Sequence, residues 1–91
     1  MTELQKRAKA LYTPPFRWDA LGSYIWDAKC NMVADMTDGE LRVRGWGRIQ
    51  KMPESEALQD AVDEQLQKVF VEGMSGEQVA VKLTERWQEE W

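Results

Sequence analysis

The sequence predicts an α+β fold, a small three-stranded antiparallel β-meander packed on C-terminal helices with a short N-terminal helix, in the order α-β-β-β-α-α. Three observations carry the prediction. Residues 53–72 place Leu58, Ala61, Val62, Leu66, Val69 and Phe70 at spacings of three and four, the signature of a helix with one apolar stripe. Ser75 and Gln78 then have the spacing of a capping box, opening a second helix with Val79 or Ala80, Leu83, Trp87 and Trp91 on one side. Between the N-terminal segment and these helices, runs of β-forming residues are separated by turn residues, the clearest turn being Asp38-Gly39.

Taken in order, Leu4, Ala8, Leu11 and Tyr12 fall at helical spacing, and Thr13-Pro14-Pro15 stops that helix because proline disfavours α geometry in the residue before it. Phe16-Arg17-Trp18 reads as a brief extended piece. The run from Ser23 to Asp27 is the first clear strand, and Met32 to Met36 the next. In the turn between them, Asp27 is placed to accept backbone hydrogen bonds and Asn31 to take left-handed geometry.

A two-residue turn at Asp38-Gly39 fixes a register, with Asp35 opposite Arg42 and Ala34 opposite Val43. Met32, Ala34, Met36, Leu41 and Val43 then share one apolar face, while Val33, Asp35, Arg42, Arg44 and Trp46 share the other. The sheet is expected to bury the first face only. Pro53 suits the first position of the long helix, Glu54 and Glu56 its positive end, and Gly73 its stop.

At 91 residues, with 43% hydrophobic and 31% charged, the chain suits one domain spanning 1–91 with a single modest core. No apolar run reaches the roughly 20 residues of a membrane helix, and the first twelve residues are too polar for a secretion signal, so the expected compartment is a cytoplasm. The chain has one cysteine, Cys30, and no histidine. Internal disulfides, zinc sites and histidine-dependent nucleophiles are thereby excluded, and no spaced carboxylate pair suggests an alternative. The expectation is a protein without catalysis, metal or cofactor.

Net charge is −4 but unevenly spread, with the positive charge gathered in residues 41–53 and the acidic charge in the C-terminal third. Arg42, Arg44, Trp46, Arg48 and Lys51 combine cations with an aromatic ring, the chemistry that follows phosphates and stacks on bases. The same residues also suit the solvated side of a strand, since Arg42 has Asp35 across from it. Five tryptophans exceed what a small core buries, and tryptophan is enriched at the centres of interfaces. The candidate partner-binding residues are therefore Arg44, Trp46, Arg48 and Lys51 on the basic strand, and Trp87 and Trp91 on the last helix. Their partner would be a protein, a second copy of the chain closing a homodimer, or, as the alternative, nucleic acid.

The runs PPFRWDALGSYIWDAKCNMVADM and LRVRGWGRIQKMPESEALQDAV resemble a group of small proteins encoded by tailed phages and prophages of enteric bacteria, which share the pattern PPF…YI-D…MVAD…RVRGWGRIQ. The resemblance covers about residues 14–66. Members often place glycine where this chain has Cys30. It implies a protein made in a bacterial host cytoplasm that acts by binding a host or phage macromolecule, as an inhibitor or regulator, and it carries over no catalytic residue.

Overall fold

The computed structural model describes residues 1–43, 49–89 and 91. Helix α1 (Glu3–Ala10) leads into a four-stranded antiparallel sheet of β1 (Arg17–Asp19), β2 (Tyr24–Trp26), β3 (Met32–Asp35) and β4 (Arg42–Val43), ordered β1-β2-β3-β4. Helices α2 (Ser55–Val69) and α3 (Gly76–Gln88) follow. The α+β class and element order are those expected, with Phe16-Arg17-Trp18 contributing to an additional edge strand. Among the described residues, no helix is long and apolar enough to cross a membrane.

The Asp38-Gly39 turn sets the register as expected. Both residues have positive φ, 63° and 75°, which a type I′ turn requires and glycine tolerates without cost. Ala34 lies opposite Val43 and Asp35 opposite Arg42. The Arg42 guanidinium nevertheless pairs with Glu40, at 3.1 Å, rather than across the strands with Asp35. Asp35 instead accepts the Thr37 N–H at 3.3 Å.

Trp18, Ile25 and Ala34 are in lateral register, so they occupy one face of the sheet. Helix α3 lies under β1 and β2 on this side, with Gly76 so close beneath Trp18 that a Cβ there would strike the indole, and α2 packs on β4. The other face was expected to stay open, but Val33 and Asp35 are as deeply buried as Ala34. The β2–β3 ladder shifts register between Ile25 and Trp26, with Ile25 opposite Ala34 and Trp26 opposite Met32, so Val33 is the extra residue of a bulge and strict alternation does not fix its face. Met32 and Met36, assigned to the buried face, are only half-buried. Arg17 of β1 and Arg42 of β4 are exposed.

Thr2 and Gln5 form a capping box for α1, and Ser75 and Gln78 form the expected one for α3. Helix α2 begins at Ser55 rather than Pro53, because Glu54 takes a left-handed conformation (φ 58°). Arg7 of α1 holds that corner, donating to Glu54 Oε1 at 3.0 Å and to the Pro53 carbonyl at 2.9 Å. The helix also ends before Gly73, with Phe70 extended as its C-cap. Its buried stripe is Leu58, Val62 and Leu66, which meets Ala8, Leu11 and Tyr12 from the N-terminal segment and Val79, Leu83 and Trp87 from α3 in one core.

Candidate functional site

The expected binding residues divide three ways. Arg44, Trp46 and Arg48 lie outside the described residues. Lys51 is exposed in the turn before α2. The Trp87–Trp91 stripe, expected to be available to a partner, faces inward.

Trp87 is 2% exposed, packs edge-on against Phe16 at 5.0 Å and Trp91 at 4.7 Å between ring centres, and donates its indole N–H to the Lys9 carbonyl at 3.0 Å. Lys9 in turn donates to the Glu89 carbonyl. Helix periodicity identifies such a stripe but not what covers it. Here the N-terminal helix and the segment after it do so, and Trp91 is half-buried against the same core.

An open surface is built by the β1–β2 pair. A cleft of about 480 Å³ is lined by Arg17, Trp18, Asp19, Trp26 and Cys30. Strand alternation places Arg17 and Asp19 on the face away from α3, and register places Trp26 beside Arg17 and Tyr24 beside Asp19. Trp26 and Tyr24 meet edge-on at 6.1 Å. Asp19 is held in place, accepting the Leu21 N–H at 3.0 Å and the Trp26 indole N–H at 3.4 Å. Arg17 donates to the Cys30 sulfur at 2.9 Å and has no carboxylate within ion-pair distance among the described residues. A thiol is a weak acceptor, so most of the guanidinium's capacity for an anion is unspent.

One end of the cleft is set by the Asp27 turn. Asp27 is fully buried yet accepts four hydrogen bonds, from the Thr13, Lys29 and Asn31 backbone N–H groups at 2.9, 3.0 and 2.8 Å and from the Asn31 side chain at 3.1 Å. Burial pushes its carboxyl up, but the hydrogen bonds from Thr13, Asn31 and Lys29 outweigh it and leave the pKa below the ordinary aspartate value. The expectation that Asp27 organises this turn holds. The left-handed residue is Cys30 (φ 64°) rather than Asn31, whose backbone and side chain are both committed to Asp27. Glycine at this position would take that conformation without strain.

Sequence reasoning singled out neither Arg17 nor Asp19. The available signal was the alternation Arg-Trp-Asp, which in a strand puts two opposite charges on one face and an aromatic on the other. Chemically the cleft offers a cation, a fixed carboxylate and the edge of an indole, a set suited to recognition. Among the described residues, no three Cys, Asp or Glu side chains converge as a metal site would need. Comparison with protein-family models, curated proteins and solved structures finds no match to the chain.

Proposed function

We propose that this is a non-catalytic binding protein that docks a protein partner on the open sheet face at β1 and β2. The observation that supports this reading is the combination of half-exposed Trp26 with Arg17, which has no carboxylate partner among the described residues, in one cleft of about 480 Å³. Tryptophan and arginine are the side chains that most often dominate binding energy at interfaces. The two deeply buried carboxylates, Asp27 and Asp35, accept backbone hydrogen bonds and are withdrawn from solvent, so neither is placed to act as an acid or base on a bound molecule.

The sequence resemblance to proteins of tailed phages and prophages makes a macromolecule of the bacterial host or the phage the partner to seek. The test is affinity capture from an enteric bacterial lysate with the wild-type chain and with Trp26→Ala, each with and without nuclease. A stoichiometric protein retained by the wild type, resistant to nuclease and lost from the variant is the expected result. Retention that Trp26→Ala leaves unchanged would remove the cleft as the docking face, and retention abolished by nuclease would move the assignment to nucleic acid.

A further inference from the structure

The outer edge of β1 has a pattern that is complementary to itself. The Met36 N–H donates to the Ser23 carbonyl at 2.8 Å, making Ser23 and Met36 a hydrogen-bonded pair of the β2–β3 ladder. Antiparallel ladders alternate hydrogen-bonded with non-hydrogen-bonded pairs. Tyr24 and Asp35 are therefore a non-hydrogen-bonded pair, and Ile25 and Ala34 a hydrogen-bonded one. The backbone groups of Ile25 are committed to β3.

Trp18 is the residue opposite Ile25 in β1, so its own N–H and C=O point away from β2, out of the sheet. Phe16, two residues earlier, points the same way, and its N–H is taken by the Thr84 hydroxyl of α3 at 2.9 Å. On this edge Trp18 is flanked by Arg17 and Asp19, whose side chains both lie on the cleft face.

We infer that β1 pairs antiparallel with β1 of a second copy of this chain, about a two-fold axis at Trp18. In that register the two Trp18 residues exchange both N–H···O=C bonds. Arg17 falls directly opposite Asp19 of the second copy, and Asp19 opposite Arg17 of the second copy. These flanking positions are the non-hydrogen-bonded pairs, where side chains come closest and opposite charges attract.

A parallel arrangement, by contrast, would set arginine against arginine. The antiparallel interface is isologous, as a two-fold requires. It joins two four-stranded sheets into one of eight and brings the two clefts together on the same face. The pairing uses the same Arg17 as the proposed docking face, but its test reads the oligomeric state and not partner capture, so failure of one is distinguishable from failure of the other.

Sedimentation velocity over a concentration series, at low and high salt, tests the pairing with wild type, Arg17→Glu and Asp19→Arg. The wild type is expected to dimerise with concentration, and less at high salt, where exposed ion pairs are screened. Each single substitution turns two attractive pairs into repulsive ones and is expected to raise the dissociation constant at least about tenfold. An equimolar mixture of the two variants restores attraction at both pairs and is expected to recover the dimer as a heterodimer.

Arg17 is exposed and outside the core, so Arg17→Glu keeps its fold even if Asp19→Arg disturbs the turn at Leu21. A wild-type monomer at the highest soluble concentration would overturn the pairing. So would an Arg17→Glu chain that dimerises as the wild type does, or two folded variants that remain monomeric when mixed.

Discussion

Trp87 and Trp26 are the same side chain in two regions with opposite duties. At the C-terminal end of α3, Trp87 is enclosed by Tyr12, Phe16 and Trp91, and its N–H is bonded to the backbone of α1. At the β1–β2 end, Trp26 is half-exposed, and its N–H reaches a carboxylate that also serves a turn. What separates them is the partner of the indole N–H and what covers the ring. An aromatic bonded to the backbone of a distant element holds the fold together, and one bonded to a neighbouring surface side chain leaves its ring free to meet something else.

The largest expected effect breaks the first region. Trp87→Ala removes the ring that α1, the 11–16 segment and α3 share, and is expected to cost about 3–5 kcal/mol in denaturant unfolding. Asp27→Asn, at the joint between the regions, replaces a charged acceptor of backbone hydrogen bonds with a neutral one. The expected loss is roughly 2–3 kcal/mol at neutral pH.

The sign of its pH dependence follows from the depressed pKa. Asp27 contributes fully above the unfolded carboxylate range, and the contribution is lost as pH falls through the lower folded value. The gap in stability between wild type and Asp27→Asn should therefore close on acidification below about pH 4. A gap that stayed constant would mean that the charge of Asp27 is not what the turn uses.

Gly76→Ala sharpens the comparison from beneath β1. Its methyl group strikes the Trp18 ring, and displacing that ring is expected to cost about 1–3 kcal/mol despite the better helix propensity of alanine. The smallest effect is at the open end, where Trp26→Ala should cost about 1 kcal/mol or less. Acrylamide quenching separates the two indoles directly: fluorescence lost in Trp26→Ala should be quencher-accessible, and that lost in Trp87→Phe should be shielded.

Much of the architecture was legible because local chemistry determined it. Asp38-Gly39 admits positive φ at both positions and so set the β3–β4 register, while Ser75 and Gln78 marked the start of α3. The helix stripes at Leu58, Val62 and Leu66 and at Val79, Leu83 and Trp87 are the buried ones. Less legible was whatever depends on a distant element. Pro53 had the chemistry of a helix start, but Arg7 holds Glu54 in a left-handed turn and delays the helix to Ser55. Val33 and Asp35 had the alternation of an open face, but a register shift beside Val33 breaks that alternation, and both residues are buried.

The site was less legible than the fold for the same reason. The aromatic stripe on α3 has the spacing of a docking helix, and only the approach of α1 assigns it to the core. Arg17 and Trp26 become neighbours through strand pairing, which neither local sequence displays. Of the basic-strand candidates, Lys51 alone lies among the described residues.

The bond from the Trp87 indole to the Lys9 carbonyl joins positions 78 residues apart in the chain. A ribosome adding about 5–20 residues per second needs roughly 4–16 s to cover that separation. Throughout that interval the emerging chain holds Leu11, Tyr12 and Phe16 without the ring that encloses them. The core therefore closes only after synthesis has passed Trp87, so this ring is the last of its aromatic cluster with Tyr12 and Phe16 to be made.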